Sequence, residues 1–113
     1  MEVREELAAG PMLDAQIARQ VMGWRPLAWQ GENWQWDENL PRFSTDWGAA
    51  GQVVNWLHRR HWYIEPVLPE GTYPVTVHLW KDVFDAVTPT VDVEGVTFPH
   101  AICLAALEAV ALE

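Results

Sequence analysis

The stretch "PHAICLAALEAVA", residues 99–111, limits the fold more than any other, because only His100 and Glu108 interrupt a run of Ala, Ile, Cys, Leu and Val. Pro99 suits the first turn of a helix, where its missing N–H is no loss. A helix with no polar face is stable only when it is covered on more than one side. Either it lies between other elements of the chain, or it forms a subunit interface. With 113 residues the chain is read as a single domain over residues 1–113, large enough to bury a core without staples.

Upstream, the pattern of apolar residues changes its period twice. Pro11 opens a helical stretch in which Leu13, Ile17 and Val21 recur at intervals of four, and Gly23 follows as a stop. This first helix spans about 11–22, with Asp14, Gln16, Arg19 and Gln20 on its solvated face. Trp47, Ala50, Val54, Leu57 and His61 are spaced three, four, three, four, which predicts a second helix over 46–60. Gly48 and Gly51 lower its propensity by about 1 kcal/mol each relative to Ala, so packing, such as close approach to a sheet, must help hold it.

Between the second helix and the last one the period drops to two. Val75, Val77 and Leu79 face one way and Thr76, His78 and Trp80 the other, with "PEGT" as the turn before them. Strands are predicted near 61–66, 73–81, 83–88 and 90–98, joined as an antiparallel meander. In "WRPLAWQGENWQWDENLPRF", aromatic residues flank Gly31-Glu32-Asn33, which reads either as the turn of a short hairpin or as part of an irregular loop pinned by tryptophans.

Composition excludes several kinds of work. Net charge is −9 with one lysine, Lys81, so a phosphate-binding groove lacks its clustered cations and direct nucleic-acid binding is not expected. An acidic surface that mimics DNA, and so inhibits a host defence protein, is the alternative that this charge leaves open. One cysteine, Cys103, rules out an internal disulfide, and among Ala and Leu it reads as a buried structural thiol. No run reaches the ~18 apolar residues of a membrane span, and the acidic start is no signal peptide, so a cytoplasmic location without membrane contact is expected.

Three segments, "LDAQIARQVMGW" (13–24), "FSTDWGAAGQVVNWL" (43–57) and "PHAICLAALEAVA" (99–111), resemble in order and spacing the small prophage-encoded bacterial proteins of the phage ABA sandwich domain family. The resemblance implies an α+β fold, a three-layer helix/sheet/helix sandwich with a mainly antiparallel sheet, and an origin in phage or prophage DNA. That family brings no established activity to any residue. The tryptophan-rich stretch 24–36 and the glycines at 48 and 51 depart from its usual pattern.

Ser44-Thr45-Asp46 has the composition of an active site, but Ser, Thr and Asp are also the preferred helix caps. His58, His61, His78 and His100 stand at no recognisable spacing from these hydroxyls, and no GxSxG motif is present, so neither catalysis nor a cofactor is expected. His58 and His61 form an i,i+3 pair that, with Glu65, has the makings of a metal site. The same "HRRH" is read instead as a helix C-terminus, where cations meet the dipole, and no metal site is assigned. Asp82, Asp85, Asp92 and Glu94 read as a charged sheet edge guarded against aggregation.

Eight tryptophans are too many for a core of this size, since each brings about 200 Å² of surface and an N–H that needs a partner. Trp24, Trp47, Trp56 and Trp62 are assigned to structure. Trp29, Trp34 and Trp36 are the candidate binding residues, for a protein partner or for self-association, with a homo-oligomer through the C-terminal helix as one form of the latter.

Overall fold

The computed structural model describes residues 8–24, 28–30, 33–35, 40–67, 74–81 and 90–112. Its elements run α1 (Pro11–Gln16), a π-helical turn (Ile17–Val21), β1 (Ala28–Gln30), β2 (Asn33–Gln35), α2 (Trp47–Arg59), β3 (Trp62–Val67), β4 (Val75–Lys81), β5 (Thr90–Gly95) and α3 (Phe98–Leu112). The fold is α+β, with the helices packed against an antiparallel sheet of order β3-β4-β5. β1 and β2 form a separate antiparallel ribbon in which Trp29 pairs with Trp34.

The apolar last helix finds its cover within the chain. Residues 99–106 and Ala109 are buried. α3 packs on β4 and β5, while α2 and the Ile17–Val21 turn pack on α3, and α2 also reaches β3. Of the two explanations for an all-apolar helix, burial between other elements is the one this packing supplies for residues 99–106.

Where α3 meets the end of β5 the backbones are nearly touching. A Cβ on Gly95 would lie 2.7 Å from the Ala101 nitrogen and 2.9 Å from its Cα. The turn between them is short and tied. The Val96 N–H donates to His100 Nδ1 at 3.1 Å, His100 N–H donates to Thr97 Oγ1 at 3.3 Å, and Ala101 N–H donates to the Thr97 carbonyl at 2.9 Å.

The first helix changes its winding partway. Positions four apart drift by about 40° per step on a 3.6-residue turn. From Ile17 the chain takes the wider i→i+5 winding, with Met22 N–H donating to the Ile17 carbonyl at 2.9 Å, which draws Val21 back toward the core side. Ile17, Ala18 and Val21 are all buried, and Gly23 closes the segment with φ 74°, a left-handed conformation suited to glycine.

α2 begins where its cap predicts, with the Asp46 carboxylate accepting from Ala49 N–H at 2.8 Å. Its buried stripe is Ala49, Ala50, Val53 and Leu57. Trp47, assigned to this stripe from its spacing, stands 64% exposed and packs at a tilt against Phe98 instead, because it occupies the first turn beyond the edge of α3. Trp24 is also 39% exposed, although its ring packs on Phe43. Neither helical glycine marks an approach to the sheet: a Cβ on Gly51 meets nothing within 4 Å, and one on Gly48 meets only the Asp46 side chain.

The period-two reading of β4 is borne out: Val75, Val77 and Leu79 are buried, and Thr76, His78 and Trp80 are half-buried on the other side. β5 alternates in the same way, with Val91, Val93 and Gly95 inward. The predicted strand at 83–88 and the "PEGT" turn lie outside the described residues.

Candidate functional site

Ser44, the first candidate hydroxyl, sits inside the protein. Its N–H and Oγ both donate to Asp14 Oδ1, at 2.8 and 2.6 Å, and its Oγ accepts from the Gly10 N–H at 2.9 Å. Asp14, placed on the solvated face of the first helix by its spacing, is only 4% exposed, because the loop ahead of α2 folds across the start of α1 and supplies Ser44 as its partner. Cys103 lies near enough that the charge of Asp14 adds to burial in pushing its thiol far above the usual range. The three segments quoted above therefore meet in one buried seam. A fully covered Ser44 and a thiol held protonated make this seam a structural tie, with Asp46 rather than Ser44 serving as the cap.

At the start of α2 a shallow groove of about 760 Å³ is lined by Leu40, Pro41, Arg42, Thr45, Asp46 and Gln52, among others. Its acidic member, Asp46, is already engaged as the cap. His58 and His61 do not assemble with Glu65: among the described residues no three His, Cys, Asp or Glu side chains gather as a metal-ligand set. His58 packs against Tyr63, with ring centroids 6.4 Å apart, and His61 leaves α2 with φ 68°. Asp82 and Asp85 lie outside the described residues, and so does Trp36; of Trp29 and Trp34 the backbone pairing is described.

The outward face of the sheet gathers what sequence spacing alone left scattered. Register places Tyr63 opposite Trp80, and Glu65 opposite His78, which in turn faces Asp92. Tyr63 and Trp80 stack at 5.8 Å with their planes 23° apart, and His78 and Trp80 stack at 5.5 Å and 28°. His78 Nδ1 is 2.5 Å from Asp92 Oδ1, which fixes the imidazole in the row. Tyr63 is 43% exposed and Val67 45%, so this side is open to solvent.

The signal for this row was present in the alternation of "WYIEPV" and "VTVHLW", which puts Tyr63 on one strand and His78 and Trp80 on another, each facing away from the core. Which of them meet depends on register between strands, and no local spacing carries that.

Comparisons with known proteins address the fold. A search of curated proteins finds no significant match. A 2.0 Å crystal structure of a phage protein from Bacillus cereus ATCC 14579 is similar, with a TM-score of 0.58 over 95% of this chain and 90% of that chain. At 19% identity the likeness speaks for shared architecture alone. The profile of the phage ABA sandwich domain matches residues 15–107, from within α1 to within α3, covering residues 43–57 whole and most of 13–24 and 99–111. The chain belongs to the phage ABA sandwich domain family.

Proposed function

We propose that this phage-family domain acts by association with a protein partner or with a second copy of itself, and not by catalysis. The observation that carries this reading is the stacked row of Tyr63, Trp80 and His78 on the open side of the sheet. Aromatic side chains half-exposed on a rigid element are the typical anchors of protein interfaces, giving large contact area at little entropic cost. The hydroxyl and thiol that would serve a nucleophile, Ser44 and Cys103, are buried and committed to the core. The same proposal extends to Trp29, Trp34 and Trp36, the first two of which pair by backbone across the β1–β2 ribbon.

The test is capture from phage-infected host lysate together with sedimentation of the purified chain, using the wild type, Trp80→Ala, and Met12→Ala as a control at an exposed apolar position elsewhere. A partner or dimer lost with Trp80→Ala and kept with Met12→Ala supports the reading. Association unaffected by Trp80→Ala, and by the same change at Trp29, Trp34 and Trp36, removes it.

A further inference from the structure

The occupant of the open sheet face can be named by its chemistry, on the footing that this face is the contact surface. We infer that it receives an arginine side chain from an extended segment of a protein partner, seated over Thr76 and against the ring of His78.

The aromatic row has an end. Along β4 the outward positions are Trp80, His78 and Thr76, so two stacked rings are followed by a short side chain. Across the sheet Thr76 is flanked by Val67 on β3 and Glu94 on β5. The result is a step whose wall is an imidazole ring, whose floor is Thr76, and whose sides are one exposed apolar residue and one exposed carboxylate. A planar group that stacks on His78 here continues the row by one member.

Charge selects a cation for that place. Glu65, Asp92 and Glu94 all stand on this face and all are exposed. Asp92 is tied to His78, whereas Glu65 and Glu94 hold no ion pair with any described residue. Lys81 serves the opposite face, over the Trp62 ring at 5.6 Å. A phosphate-bearing ligand would be repelled by these carboxylates, and a cationic one is drawn to them.

Arginine fits better than lysine for two reasons. Its guanidinium is planar and stacks on rings, and its fork of donors can engage a carboxylate such as Glu94 bidentately. Its methylene stem meanwhile lies along Val67. Size points to a segment in place of a globular surface: six residues at about 3.3 Å and two strand spacings of about 4.8 Å give a face of roughly 20 by 10 Å. That is far below the ~800 Å² per partner of a standard interface.

The experiment titrates the isotope-labelled whole chain with oligoarginine, oligolysine and oligoglutamine peptides of equal length, at low and physiological salt, following backbone amides and the Trp80 indole N–H. Oligoarginine is expected to shift Thr76, His78, Trp80 and Glu94 and to bind about tenfold more tightly than oligolysine, with oligoglutamine silent. Thr76→Phe fills the step with a residue that strands tolerate well and leaves net charge unchanged. It should abolish the preference for arginine. Equal affinity for the two cationic peptides, or undiminished arginine preference in Thr76→Phe, overturns the inference, because attraction to the chain's −9 charge alone would give that result. A lysate partner lost with Trp80→Ala but retained by Thr76→Phe would end the arginine assignment while leaving association standing; one lost with both supports the two together.

Discussion

Replacing Gly95 by alanine tests the contact on which the sheet and α3 are joined. In a strand this change alone is favourable by about 0.5–1 kcal/mol, since glycine loses more freedom on folding. Here the new methyl would stand 2.7 Å from the Ala101 nitrogen and 2.9 Å from its Cα, against the 3.5–4.0 Å of an ordinary carbon contact. Both are backbone atoms, so no rotamer change relieves the clash. The hydrogen bonds through Val96, Thr97 and His100 tie the helix start to the strand end, so α3 must shift by most of an ångström with its whole buried face. Overpacking of this kind costs about 1–3 kcal/mol.

The net expectation for Gly95→Ala is a loss of about 1–2 kcal/mol, or a fall in Tm of roughly 5–15 °C for a domain of this size. Gly51→Ala is the internal control. Its methyl meets nothing within 4 Å in the middle of α2, so it should gain about 0.5–1 kcal/mol. Denaturant unfolding followed by tryptophan fluorescence reads both. Adding Ala101→Gly should restore little, because the nearest atoms remain backbone. Gly95→Ala as stable as the wild type, or both glycine variants moving in the same direction, would refute the claim that backbone contact fixes this junction.

Further expectations concern the seam and the helix ends. Ser44→Ala removes a hydrogen bond to the buried Asp14 and the acceptor for Gly10 N–H, and should cost about 1.5–3 kcal/mol by denaturant titration, against about 1 kcal/mol for the cap variant Asp46→Ala. Cys103 should resist a thiol reagent in the native protein at mildly alkaline pH and react fully in denaturant. Because burial, and then Asp14, raises the folded thiol's pKa, its contribution is complete below the unfolded value of about 8.5. It then declines by about 1.4 kcal/mol per pH unit above that, a slope that Cys103→Ala should remove. His61→Gly should raise stability by about 0.5–1 kcal/mol by relieving the left-handed backbone after α2. Trp62→Ala should cost about 3–5 kcal/mol and Trp47→Ala under about 1 kcal/mol, since the first ring is enclosed and the second is 64% exposed.

Much of the architecture was legible along the chain because it rests on local periodicity. The stripe through Ala50 and Leu57 with Asp46 ahead of it marks α2, the alternation from Val75 to Trp80 marks β4, and the all-apolar run after Pro99 marks a helix that must be covered. Capping and side-chain period act over three or four residues, so spacing records them. The resemblance of the three segments to one phage family was legible for the same reason, since each is a single local element.

What only the tertiary structure decided are the contacts between residues far apart in sequence. Asp14 is buried because Ser44, thirty positions later, folds over it. Trp47 is exposed although its spacing matches the stripe, because α3 ends its cover at Phe98. Tyr63, Trp80, His78 and Asp92 become one row only when three strands take their register, and the space for a Cβ at Gly95 is lost only when Ala101 closes on it. Periodicity tells which way a side chain faces; packing of elements chooses what it meets there, and in this protein that choice sets both the sealed polar seam and the open aromatic face.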